Sequence, residues 1–435
     1  MAETAYNRFQ RANRSIRRWC FSCNLSILIA ATSTSTCRSF SAERGSTRIA
    51  PINGVEVLFL VNNRGETEPC GCPKKPIGGL PRLGGYLAKV RSENKRLFLF
   101  DVGDRFTQLP KEFPLKPLNP DAAKGAALIQ AIDRRLMFSA IGLGDLDLAV
   151  LGVGHFKELT SATPVVATNL IDTQTARSPI APYRLVRQQD VTVVVTSILE
   201  QTEWLTDKIL ADQSLRLTPA IDALREQLVS LPTHDLLIVL AHTTKTLAKE
   251  IARQFPQVDL ILLGAEGRLE RPESVNNALI VSNDGLGRRI SHLTIDRRTL
   301  ANRQWLSIAE AERLPVERKM LARRAETLRK QAAATSNEAM KRNLQRALDS
   351  LQLEQERISH RLRGLQNGHI RRYDFLVEPL DSRFPDDVSI RQLIGDGKRS
   401  MSSIPSLSVP LAPHPEAKIS EFSAACPKDD VCGIK

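Results

Sequence analysis

Two cysteines one residue apart, Cys70-Gly-Cys72, stand in a Gly/Pro-rich loop beside Lys74 and Lys75. Neighbouring ammonium groups lower a thiol's pKa and favour the thiolate, so the pair is a candidate for redox exchange or for a soft metal. The same residues equally suit a plain structural turn. The stretch IGGLPRLGG that follows can bring backbone N–H groups to an anion, although glycine spacing alone is weak ground for a phosphate site. The other cysteines are Cys20, Cys23, Cys37, Cys426 and Cys432. No Cys-x-x-Cys-His occurs, which excludes covalently attached haem. Four cysteines in the body of so long a chain do not make a disulfide scaffold either, because a large core is stable without one.

The elements that position such groups follow from hydrophobic period. Residues 55–61, VEVLFLV, are a continuous apolar run of the length of a strand buried on both faces. Leu83, Tyr86, Leu87 and Val90 then recur at helical spacing after Pro81, a good first-turn residue. LFLFDV at 97–102, VVA at 165, VTVVV at 191, LLIVLA at 236 and LILLG at 260 read as further strands with helices between several of them. This alternation predicts an α/β fold, a layered sheet with helices packed against it. Ligands of such sheets bind outside the carboxyl ends of the strands, so polar residues just past those ends are the candidate site.

Beyond residue 300 the period changes. Leu321, Ala325, Leu328 and Ala332, then Leu344, Leu348, Leu351, Ile358, Leu362 and Leu365, follow a 4, 3 pattern. Thr335-Ser336-Asn337-Glu338 reads as a capping box opening the second helix. The prediction is an antiparallel coiled-coil hairpin with arms of about 20 residues, near 30 Å each. A return segment containing YDFLVEPLD follows, and then a tail rich in Ser and Pro. The expected organisation is an N-terminal segment over 1–50, a main domain over 51–302, a hairpin over 303–370, a return segment packing on the domain over 371–395 and a disordered tail over 396–435.

The formal net charge of +13 invites a nucleic-acid reading. Eight arginines against Glu3 and Glu43 in residues 1–50, and fourteen Lys/Arg against eight Asp/Glu in residues 301–370, account for nearly all of it. The main domain is electrically balanced and no nucleic-acid motif is present, so no nucleic-acid partner is expected. The hairpin is instead the place for peripheral association with a membrane or a protein partner. Arg11, Arg14, Arg17 and Arg18 precede an apolar run from Trp19 to Ala31 that is too short to span a bilayer. This is the pattern of an export signal, with an uncleaved basic tail as the alternative reading, and the expected location is periplasmic or extracellular. Cys37 hints at lipid anchoring, although the Thr34-Ser35-Thr36 before it lacks the apolar residue such a site wants.

Five stretches in order carry a resemblance: LFLVNNRGETEPCGCPKKPIGGLPRLGGYL, LFLFDVGD, LGDLDLAVLGVGHF, LLIVLAHTTKTLAKEIARQFPQVDLILLGAEG and NNALIVSNDGLGRRISHLTID. Together they resemble the metallophosphoesterase domain of the 5'-nucleotidase family, within the calcineurin-like phosphoesterases, and in particular an exported subgroup with EPCGCP. The resemblance implies a β-sandwich flanked by helices, a pair of divalent metal ions (Mn, Zn or Mg) and hydrolysis of phosphate monoesters, nucleotides above all. On the family's pattern Asp104 matches the bridging carboxylate, His242 a metal ligand, and His155 the histidine that acts on the phosphate or the leaving group. The departures are as informative. Asn62 or Asn63 stands where Asp-x-His is expected, Gly154 and Phe156 flank His155, and Ala265 and Gly267 occupy the last two histidine positions. Glu66, Glu68 and Glu266 lie in the site loops and could substitute in part, as could the Cys70/Cys72 thiolates. His292, His360, His369 and His414 fall outside the motifs and are expected at the surface.

Three readings follow. The first is a metal-dependent phosphoric monoester hydrolase acting on a small phosphorylated substrate. The second is a catalytically inactive binding or scaffold protein, and the third a thiol redox accessory protein built on Cys70 and Cys72.

Overall fold

The computed structural model describes residues 54–70, 75–109, 120–160, 163–264, 269 and 271–402. The N-terminal stretch expected to act as an export signal, including Cys37, lies outside them, as do Cys72, Glu266, His414 and the Cys426/Cys432 pair. In chain order β1 (Gly54–Leu60) leads through the short strands β2 (Pro69–Cys70) and β3 (Ile77–Gly78) to α1 (Leu80–Glu93) and β4 (Leu97–Asp101). Next come α2 (Pro120–Leu136), β5 (Ala140–Gly142), α3 (Asp145–Thr160), β6 (Val165–Val166) and β7 (Leu170–Asp172). The second run is β8 (Tyr183–Gln188), β9 (Val191–Leu199), α4 (Asp207–Asp212), β10 (Leu215–Leu217), α5 (Ala220–Leu228), β11 (Leu236–His242), α6 (Lys245–Gln254), β12 (Leu260–Leu263), β13 (Glu273–Val275) and β14 (Ala278–Ser282). After these come β15 (Arg289–Asp296), β16 (Gln304–Ser307), α7 (Ile308–Ala334), α8 (Glu338–Gln366), β17 (Ile370–Pro379) and α9 (Val388–Ser402).

Two large sheets result, one ordered β16-β17-β15-β1-β4-β5-β6 and the other β13-β14-β12-β11-β9-β8. Successive strand residues point to opposite faces, and in β1, β4, β11 and β12 both faces are buried, which is why those runs are largely apolar. Val55, Val57 and Phe59 of β1 share one cluster with Leu236, Ile238 and Leu240 of β11, so the two sheets pack face to face. Leu58 and Leu60 look the other way, onto Leu80, Leu83 and Leu87 of α1 and Ile129 and Ile132 of α2. Leu237, Val239 and Ala241 of β11 do the same toward Ala248 and Ile251 of α6. The protein is a four-layer α/β/β/α sandwich, as the resemblance implied.

Polar groups inside this core are paired. Glu56 of β1 accepts hydrogen bonds from His292 Nε2 at 2.6 Å and Thr294 Oγ1 at 2.7 Å, and Tyr86 of α1 meets the other ring nitrogen of His292 at 2.5 Å. His292 is therefore wholly buried, not at the surface, because β15 runs through the middle of its sheet and Glu56 and Tyr86 satisfy both ring nitrogens.

The hairpin arms are α7 and α8, of 27 and 29 residues, longer than the expected 20 because α7 starts at Ile308 and runs through Pro315. They are antiparallel: Arg361 near the end of α8 pairs with Glu310 at the start of α7, and Leu314 and Ile358 are buried together. Asn337, not Thr335, caps α8, its Oδ1 accepting from the backbone N–H of Ala339 and Met340, while Thr335 terminates α7. The arms leave from β16 and return into β17, which pair in parallel at the edge of the first sheet. β17 in turn pairs antiparallel with β15. Helix α9 buries Ile390 and Ile394 in the cluster around α1 and α2, and runs to Ser402, past residue 396 where composition places the start of the tail.

Candidate metal centre

The carboxyl ends of β1, β4, β5 and β11 converge on a cavity of about 310 Å3 lined by Asn62, Arg64, Asp104, Asp145, Trp204 and His242 among others. Each polar side chain is delivered by the turn after its strand. Asp104 follows Gly103 past the end of β4, in the left-handed region at φ 51°. Asp145 opens α3 three residues after β5, where a helix N-terminus favours an acid. His242 is the last residue of β11.

These three make the one group of metal-ligating type among the described residues, with ligand atoms all within 4.8 Å of one another. His242 Nε2 lies 2.7 Å from Asp145 Oδ1 and 3.7 Å from Asp104 Oδ2. The carboxylates are held from behind: the Thr202 hydroxyl donates to Asp145 Oδ2, and the Leu146 N–H donates to Asp104 Oδ1 at 3.0 Å. Gly144 is what admits this packing. A Cβ there would fall 2.1 Å from both the nitrogen and Oδ1 of Asp104.

A second set of carboxylates fixes the loop that carries Asp104. Asp147 accepts the backbone N–H groups of Arg105, Phe106 and Thr107 at 2.7, 3.0 and 2.9 Å, and the Thr107 hydroxyl at 2.7 Å. Arg105, completely buried, donates to Asp101 at 3.0 Å and to Asp133 of α2 at 2.7 Å. Across the gap, Asn62, Arg64 and Gly65 donate their backbone N–H to the carbonyls of Gly103, Asp104 and Arg105 at 3.0, 2.7 and 2.9 Å. The β1 loop and the β4 loop are thus laced together at the floor of the cavity.

Burial and proximity set the protonation states. Burial pushes the Asp104 carboxyl up to about 7, against the pull of His242. For Asp145 burial also pushes up, but hydrogen bonds from His242 and Thr202 prevail and hold it down at about 2. For His242 burial favours the neutral ring, yet the charges of Asp104 and Asp145 carry it up to about 9. Both shifts favour an imidazolium–carboxylate pair between His242 and Asp145.

The donor set tests whether a cation fits. Two carboxylates and one imidazole suit Mg2+, Mn2+ or Zn2+. Asn62 adds an amide oxygen that is buried without a partner, while its Nδ2 donates to Gly264 O at 2.8 Å. These residues fit one divalent ion. On the side of Asn62 the wall carries an amide and the Arg64 guanidinium, and no second ligand group forms among the described residues.

Of the residues singled out from sequence, Asp104 and His242 are brought together. His155 lies in α3 beyond a break at Gly152, where φ is 72°, and the neighbouring Phe156 is buried edge-on against Phe106 at 5.6 Å. The strand-end position is taken instead by Asp145, which the pattern alone did not single out. Its signal was the Gly-Asp-Leu-Asp run directly after the short strand β5. Glu68 is engaged by Lys398 and Arg391 of α9, and Glu66, whose carboxyl burial pushes up, is not in the ligand group. Cys70 sits in β2 opposite Ile77.

No family model and no curated protein matches the sequence. Solved structures do. The 5'-nucleotidase precursor from Thermus thermophilus is 14% identical with a TM-score of 0.53, over 80% of this chain and 59% of that one. Sulfate thiohydrolase SoxB from Thermus thermophilus is 11% identical with a TM-score of 0.52, over 80% of this chain and 60% of that one. The calcineurin-like phosphoesterase YfkN from Bacillus subtilis is 18% identical with a TM-score of 0.47, over 56% of this chain and 85% of that one. The first two establish a shared fold, and this chain spans about three fifths of the length of each.

Proposed function

We propose that the chain is an exported, metal-dependent phosphoric monoester hydrolase of the 5'-nucleotidase kind that works with a single divalent ion. The observation that carries this reading is the convergence of Asp104, Asp145 and His242 at the carboxyl ends of the strands, on the floor of an open cavity. A cation held by these three residues supplies Lewis-acid polarisation of a phosphoryl oxygen and a lowered pKa for water. The chain's own contribution is positional. Thr202 and the Leu146 N–H aim the two carboxylates, and Leu109 and Trp204 add apolar surface to the cavity lining. In the reaction water forms a bond to phosphorus, the ester P–O bond breaks, and the leaving oxygen takes up a proton. On the family's pattern His155 would be the donor to that oxygen, a role that rests on the resemblance alone. Substrates are small phosphate monoesters, with nucleotides as the first class to test.

The test is metal content followed by turnover. The full chain is expected to hold one Mn2+ or Zn2+ and to release phosphate from AMP or p-nitrophenyl phosphate, and Asp104→Asn to lose both. Less than one ion per chain together with no phosphate release rejects the proposal. An unchanged kcat in His155→Ala removes that residue's role. A second reading, a cleft that binds its ligand without converting it, draws on Asn62 and Arg64, a neutral amide and a cation where the family's pattern has an acid and an imidazole. Its signature is one bound metal and phosphate affinity without turnover.

A further inference from the structure

We propose that Arg64 is the phosphate-binding cation of this cleft, its guanidinium gripping the phosphoryl oxygens beside the single metal. The inference rests on the hydrolase reading and adds to it a residue that neither the motifs nor the ligand group assigns.

Arg64 is fixed in register with the site. Its backbone N–H donates to the Asp104 carbonyl at 2.7 Å, and its φ of 50° turns the chain so that the side chain lines the cavity. Arg105, on the loop that carries Asp104, is consumed by Asp101 and Asp133. Arg64 is not: it forms no ion pair among the described residues, and its Nε is buried without a hydrogen-bond partner. A buried N–H left without a partner is costly, and a ligand oxygen would satisfy it. Its charge reaches the metal site nonetheless, since it acts to lower the Asp104 carboxyl against burial.

Charge balance explains why a guanidinium belongs here. The lining carries three carboxylates, Asp104, Asp145 and Glu203, with His242 and Arg64 as the only bases among the described lining residues. A dication bound by a neutral His242 leaves those walls one positive charge short, and they would repel a phosphate dianion. Arg64 makes up the difference. A guanidinium also presents two parallel N–H donors to two phosphoryl oxygens, which an ammonium cannot do. A fixed arginine can thereby supply at the phosphate the charge that a second metal ion would bring.

The experiment uses the full chain and inorganic phosphate. Calorimetric titration with Mn2+, then with orthophosphate on the loaded protein, is run on wild type, Arg64→Gln and Arg64→Lys. Arg64→Gln is expected to keep one Mn2+ per chain and to bind phosphate about tenfold more weakly or worse, the loss expected for a charged hydrogen bond. Arg64→Lys keeps charge and stem but not the fork, and is expected to bind phosphate several-fold more weakly than wild type. It decides the matter if the Gln variant is misfolded. Wild-type phosphate affinity in a loaded variant overturns the role of Arg64 and leaves the hydrolase reading standing. Failure of the wild type itself to take up Mn2+ overturns both.

Discussion

Replacing Gly144 by alanine tests the site geometry without touching a ligand. The new Cβ would lie 2.1 Å from the Asp104 nitrogen, 2.1 Å from its Oδ1 and 2.7 Å from its Cα. Carbon and oxygen in ordinary contact are about 3.4 Å apart, so the β4 loop and the start of α3 must separate by roughly 1 Å. Neither side can yield cheaply. The loop is tied to Asp147 through three backbone N–H groups, and the Leu146 N–H holds Asp104 Oδ1 from the same turn. Overpacking of this kind costs about 1–3 kcal/mol of stability. Displacement of an aligned ligand should weaken metal binding about 10- to 100-fold, the range seen when the groups that orient metal ligands are lost. The assay is Mn2+ titration calorimetry alongside thermal unfolding. Gly125→Ala in α2 is the control, since nothing lies within 4 Å of its Cβ. It should leave metal affinity alone and stabilise by about 0.5–1 kcal/mol. Metal affinity in Gly144→Ala equal to wild type would refute the account of how Asp104 is placed.

Three further outcomes are expected. Asp145→Asn removes a ligand and the partner of His242, and should lower Mn2+ affinity about 100-fold or more, beyond the loss typical of a supporting residue; retention of the ion in mass spectrometry would exclude Asp145 from the centre. Arg105→Met leaves Asp101 and Asp133 buried and unpaired, and should cost about 3–5 kcal/mol in urea unfolding; a loss under about 1 kcal/mol would contradict the pairing. Asp296 is buried, which raises its pKa, but Arg298 and Arg372 more than offset this and hold it below its ordinary 3.8. Its contribution is therefore present above that value and lost as pH falls through the lower folded pKa. Asp296→Asn should be less stable near neutrality, with the deficit closing in strong acid; a deficit that does not change with pH would refute the linkage.

How far the site could be read from sequence depended on where the restraining contacts lie along the chain. Strands such as β1 and β11 announce themselves because burial on two faces makes them largely apolar, as in GVEVLFL and LLIVLAH, whereas the half-exposed β8 and β13 do not. Asp104 and His242 stand out as polar residues at the ends of such runs. Asp145 does not, because an acid opening a helix has an ordinary explanation as a capping charge, and its partner His242 is 97 residues away. Arg105 looks like any surface arginine until Asp133 is packed beside it. His292 likewise becomes a core residue only when β15 is laid against β1 and α1 closes over both. The α8 cap lies two residues past Thr335 for a local reason: Asn337 and Thr335 both offer a capping oxygen, and it is Asn337 that accepts from the N–H groups of Ala339 and Met340.

The hairpin has a consequence for how the chain can change length. β16 and β17 run side by side in parallel. Parallel neighbours cannot be joined by a tight turn and need a crossover of a dozen or more residues. The two arms are that crossover, so they cannot be pared down to a β-turn without losing the edge of the sheet. A deletion confined to one arm would pull the return strand out of step with β15. Equal deletions from both would shorten the projection and leave the sandwich as it is.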